Sequence, residues 1–82
     1  MEGLAVGRTV HYVLEDGNRG DVRPAVVVRI WDHGGPQGTC NLQVFTDGRN
    51  DGEQYASGIA WKTSRCYDPD GAPGTWHWPP RV

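Results

Sequence analysis

The residues best suited to chemistry lie near the end of the chain, in the run Gly74 to Pro79, which reads GTWHWP. In an extended strand Trp76 and Trp78 project to the same side with Cα atoms ~7 Å apart, and His77 projects to the other. Two indoles so placed make a platform or slot for a flat ring, where stacking is worth about 1–3 kcal/mol per base. In a small core short of Phe and Leu the favoured reading is that the pair closes one end of the barrel, and the two roles can be combined with one ring buried and the other exposed. If the ring to be held also carries negative charge, a cation must stand beside it. The basic side chains are seven Arg and Lys62, and Arg combines a fork for phosphate or carboxylate with a face that stacks on aromatics. The expected ligand-binding set is therefore Trp76 and Trp78, with Arg29 or Arg65 as the anion partner and His77 or Trp61 bordering the site. For any single Arg taken alone, a solvated strand residue is the favoured reading.

Other chemistries find little support. No spacing of His, Cys, Asp and Glu brings three metal ligands together in sequence, so no metal site is expected. Asp47, Asn50, Asp51 and Glu53 crowd one turn, but counting from Asp47 the third position is Arg49 and the twelfth is Gly58, which breaks the pattern of a calcium loop. A solvated hairpin turn is expected there. There is no phosphate-binding glycine loop, dinucleotide fingerprint or nucleophile-elbow serine. Catalytic residues and cofactors are therefore expected to be none. His11 alternates out of an apolar face, His33 lies in a Gly-rich loop, and Trp31 and Trp61 are placed within or at the ends of apolar strands, as core. Cys40 and Cys66 stand apart with no paired-Cys motif, as small buried residues of a reduced domain.

The chain that must position these residues has 82 residues and a mass of 9.0 kDa, which confines it to one domain with one core. Eight Lys plus Arg oppose ten Asp plus Glu, and each half of the chain, 1–41 and 42–82, carries four positive and five negative side chains. Duplex nucleic acid demands concentrated positive charge, so it is not an expected partner, whereas a small anionic ligand is not excluded. No signal-peptide pattern opens the chain, and its longest wholly apolar run is Ala25 to Val28, far short of the ~20 residues of a membrane span. A soluble cytoplasmic protein is expected, with no membrane partner.

The periodicity is that of short strands. Val6, Arg8, Val10, Tyr12 and Leu14 alternate with Gly7, Thr9, His11 and Val13, which predicts a first strand. Glu15 to Asp21 is a turn, and the β-branched run Ala25 to Trp31 is the central strand, buried on much of both faces, with Pro24 marking its start or an unpaired position. His33 to Gly38 is a loop. Thr39 to Thr46 alternates, with Cys40, Leu42 and Val44 inward and Asn41, Gln43 and Phe45 outward. Tyr55 to Lys62 fits either a helical turn or a strand, and strand from Ile59 to Cys66 is preferred, with Gly58 as a bulge or the turn before it. Asp68 to Gly74 turns again, and Thr75 to Trp78 forms a last strand stopped by Pro79 and Pro80. Five short strands with less than a fifth of the chain helical predict an all-β fold, a small antiparallel SH3-like barrel or rolled sheet.

The segments GRTVHYVLEDG (7–17), RPAVVVRIWD (23–32), CNLQVFTDGRNDG (40–52) and PGTWHWPP (73–80) resemble a group of small uncharacterised proteins of tailed phages, prophages and some bacteria. The resemblance covers nearly the whole chain, although the group's terminal motif usually continues into Glu where this chain has Pro80. It implies a phage or prophage origin and supplies no catalytic residues. Two functions follow as expectations. The first is a non-enzymatic binding protein that sequesters a nucleotide-like host immune signal between Trp and Arg side chains. The alternative is a virion structural, decoration or assembly protein whose partner is a phage capsid or tail protein. A third reading, a regulator that binds a host protein through an exposed strand edge, is less well supported. A homo-oligomer, in the simplest case a dimer, is expected because so short a chain leaves apolar surface that self-association can cover.

Overall fold

The computed structural model describes residues 1–31 and 37–81. Five antiparallel strands form one sheet: β1 Thr9–Val13, β2 Val22–Ile30, β3 Cys40–Phe45, β4 Ile59–Arg65 and β5 Trp76–His77, in the spatial order β4-β3-β2-β1-β5. The remaining regular structure is two short 3₁₀ turns, Gly48–Asp51 and Glu53–Tyr55. The fold is all-β, and the sheet curls without closing into a full barrel. Its two edges approach where Trp76 donates its backbone N–H to Cys66 O at 3.1 Å and Asp68 N–H donates to Trp76 O at 2.9 Å, a parallel bridge between Tyr67 and Trp76.

Alternation decides which side chains the curl encloses. Val10, Tyr12 and Leu14 from the first strand and its exit, Ala25 and Val27 from β2, and Cys40, Leu42 and Val44 from β3 are all buried. Tyr55 and Trp76 complete the cluster. The first strand starts later than its pattern suggests, because Gly7 at φ 92° bends the chain and leaves Val6 exposed. Its Arg8 stays outside the strand, although Arg8 O still accepts from Val27 N–H at 3.0 Å.

The central strand is one residue pattern with two different faces. It begins at Val22 and contains Pro24, which lies opposite His11 of β1, while pairing with β3 begins only at Ala25. The missing N–H of Pro24 therefore breaks no ladder on the β3 side. Burial on both faces does not occur: Val28 is exposed, since among the described residues no second layer covers the outer side. β5 is likewise shorter than expected, with Trp78 outside it.

Asn41, expected to point outward into solvent, is buried. Pairing passes from Cys40↔Arg65 to Leu42↔Lys62, so Asn41 alone faces Thr63 and Ser64, and Ser64 takes φ 55°. This is a β-bulge. Asn41 Oδ1 accepts from Ser64 N–H at 2.8 Å, Thr63 Oγ1–H at 3.0 Å and Trp31 Nε1–H at 2.8 Å, which fixes the bulge and the Trp31 ring together. The loop expected at His33 to Gly38 falls, as far as Pro36, outside the described residues. Gly38 itself, at φ 83°, packs so closely that a Cβ there would lie 2.8 Å from Tyr67 Cβ.

Candidate functional site

Of the six side chains expected to form one site only those of Trp76 and Trp78 touch, and the other four lie apart from them and from one another. Trp76 is wholly buried, its Nε1–H donating to Gly38 O at 2.7 Å. Its ring meets Trp78 edge to face, centroids 5.2 Å apart and planes at 88°. A slot needs parallel walls, so the pair forms no slot, and the alternation argument fails because Trp78 has left the strand geometry that would align the rings. Trp78 is half-buried and lines a cleft of about 420 Å³ with Glu2, Gly3, Arg8, Thr9, Pro79 and Arg81. His77 lies on the other side of β5, against His11.

Neither expected anion partner reaches that cleft. Arg29 stacks over Trp31 at 3.9 Å from the ring centroid. Arg65 is committed to Glu15 at 3.2 Å and lies 5.9 Å from the Tyr12 ring centroid. Trp61, expected as core or as a border of the site, is 58% exposed on the outer face of β4, beside Ile59 and Phe45, which are also exposed. Gln43 faces Trp61 and Phe45 faces Ile59 across the β3–β4 pair, which sets all three apolar side chains on one side of the sheet.

The cleft takes its cations from elsewhere. Arg8 holds its guanidinium 5.4 Å from the Trp78 centroid, and Arg81 lines the same space. Neither makes an ion pair among the described residues. Sequence reasoning missed both. The available signal for Arg8 was that a charged residue interrupted an otherwise apolar alternating set; Arg81 carried no signal, since only the fold brings the two termini together.

A second polar group holds the curl together. Glu15 accepts from the Tyr12 hydroxyl and pairs with Lys62 Nζ at 2.9 Å and with Arg65. Burial works against its charge, but the Tyr12 hydroxyl and Lys62 outweigh it and hold the carboxyl below its usual range. Burial and Glu15 push the Tyr12 phenol far above its usual range. Tyr55 donates to Asp16 in the same region, under Lys62 at 5.5 Å from its ring. The side chains thus tie the β1–β2 turn to β4 across the open side of the sheet.

The polar turn after β3 exposes Asp47, Asn50 and Glu53 to solvent as expected, but not Asp51. Asp51 is 1% exposed, accepting from Arg23 Nε at 2.8 Å, Asn18 Nδ2 at 2.9 Å and Asp47 N–H at 2.7 Å. The Arg23 guanidinium holds its carboxyl well below the usual range. Burial pushes the Cys40 thiol up to about 11, with Cys66 adding to it, so Cys40 keeps its proton at neutral pH and is a poor nucleophile.

Set against known proteins, the chain matches no family model, no curated protein and no solved structure. The chemistry of the site rests on its own residues: an indole face, two guanidinium groups with no ion pair among the described residues, and one carboxylate around a cleft. Among the described residues no helix is long and apolar enough to cross a membrane.

Proposed function

We propose that this chain is a non-enzymatic binding protein of phage or prophage type that captures a small aromatic anion, nucleotide-like, in the cleft at Trp78. By taking up such a signal in the host cytoplasm it would withhold it from the defence that reads it. The observation that carries the reading is the Arg8 guanidinium over the Trp78 ring, with Arg81 in the same cleft. A flat ring packs against the indole while the two arginines meet its negative charge. The volume falls in the range of small-molecule sites, about 300–1,000 Å³. The phage assignment rests on the resemblance of GTWHWP and the three other segments. The test is native mass spectrometry with a nucleotide panel that includes cyclic di- and trinucleotides and ADP-ribose derivatives. A bound species at micromolar concentration is expected, lost in Trp78→Ala and weakened in Arg8→Glu.

A second reading, a virion structural or assembly protein, is favoured by the exposed row of Phe45, Ile59 and Trp61 beside the edge strand β4. Such a row suits a capsid or tail partner or a second copy of the chain. No bound nucleotide, together with recovery of the chain in purified virions, would replace the first reading by this one.

A further inference from the structure

His11 and His77 come from opposite ends of the chain and stand directly opposite each other in the β1–β5 pair. Their ring centroids are 5.8 Å apart, with the planes at 80°. An imidazole bound to zinc through one nitrogen places its ring centre roughly 3.2 Å from the metal, given a Zn–N bond of about 2.0–2.1 Å. Two such rings on one ion can therefore have centres up to about 6.4 Å apart. At the tetrahedral angle the centres stand about 5.2 Å apart, so the observed 5.8 Å lies between the tetrahedral and the linear arrangement.

A second observation concerns His77 itself. His77 Nδ1 is buried and, among the described residues, has no hydrogen-bond partner. With no acceptor in reach, a proton on that nitrogen would be an unsatisfied buried donor, so the proton belongs on Nε2 and Nδ1 presents a lone pair. Burial, and then the neighbouring His11, lower the His77 pKa, with Asp68 opposing. The neutral ring is the form that ligates a metal.

We propose that His11 and His77 form a cross-strand site for an imidazole-preferring divalent ion, Zn²⁺, Ni²⁺ or Cu²⁺, that fastens β5 to β1. Both Asp68 carboxylate oxygens are occupied, accepting from Asp70 N–H at 2.9 Å and Ala72 N–H at 3.1 Å. Among the described residues no third His, Cys, Asp or Glu joins the pair. The ion would keep its remaining positions for water or an exogenous ligand, which makes the site weaker than a four-ligand structural zinc. Its consequence is mechanical: β5 has two residues, and a metal bridge would hold it where backbone pairing alone is short.

The experiment is thermal unfolding of the untagged chain with ZnCl₂ or NiCl₂, against MgCl₂ as a hard-cation control. A ligand that binds the folded state raises the unfolding temperature with its concentration. The expected result is a concentration-dependent rise with zinc or nickel, none with magnesium, kept in His33→Gln and Cys66→Ser and lost in both His11→Gln and His77→Gln. His11→Gln alone decides the matter should His77→Gln fail to fold, because His11 is only half-buried. No rise in the unaltered chain, or a rise that survives His11→Gln or disappears in His33→Gln or Cys66→Ser, overturns the proposal.

Discussion

Removing the Trp76 indole would empty the point where β1, β5 and the segment after β4 meet, and would leave Gly38 O without its donor. Trp76→Ala is expected to cost about 3–5 kcal/mol in urea unfolding. Trp78→Ala, which removes a half-buried ring, is expected to cost less than half as much and to remove ligand capture. Comparable losses in the two variants would mean that Trp78 is also a core residue. Asp51 poses a different residue-scale problem, a buried carboxylate whose partner Arg23 is itself one-fifth exposed. Asp51→Ala should cost about 3 kcal/mol, the lower end for breaking a buried pair, because water can still reach the arginine. The folded-state pKa of Asp51 is depressed from its ordinary value of 3.8, so its stabilisation is fully present above that pH and is lost as pH falls through the folded value. Glu15 acts in the same direction. Urea midpoints measured from pH 7 to pH 2 should fall below about pH 4, and fall less steeply in Asp51→Asn.

The elements that meet most tightly are turns. Gly17, at φ 65° in the β1–β2 turn, lies so close to the first 3₁₀ turn that a Cβ there would stand 1.9 Å from Asp51 O. That oxygen belongs to backbone and cannot swing aside, so Gly17→Ala must push the two turns apart and strain its own backbone. A loss of about 2–3 kcal/mol is expected, together with weaker protection of the Asp51 region in hydrogen exchange. A loss no larger than that of an ordinary left-handed glycine, near 1 kcal/mol, would mean that the turns separate freely. The strand β3 was legible because Cys40, Leu42 and Val44 repeat with the period of the pleat, whereas the start of β4 also fitted a helical turn. The role of Asn41 was not legible, since a bulge in the partner strand gives no mark on its own sequence.

The molecule as a whole has one sheet and, among the described residues, no layer on its outer face. Phe45, Ile59 and Trp61 therefore remain exposed beside β4, an edge strand with backbone groups available for pairing. If a second copy covers this row, sedimentation equilibrium will give a dimer that Trp61→Glu converts to a monomer without loss of the β-type far-UV circular dichroism. A 9.0 kDa particle at every concentration would remove self-association from the account and leave the row to a different partner.

Alternation and the spacing of Gly and Pro determined on their own that the chain is all-β, that its strands are short, and which side chains of β3 face the core, because a pleat of period two sorts side chains locally. Tertiary structure alone decided which face of the sheet would be covered, and so turned Trp61 outward and Trp76 fully inward. It also exchanged Arg29 and Arg65 for Arg8 and Arg81 as the cations beside Trp78. Those choices depend on contacts between residues far apart in sequence, where the curl of the sheet sets every distance and local pattern sets none.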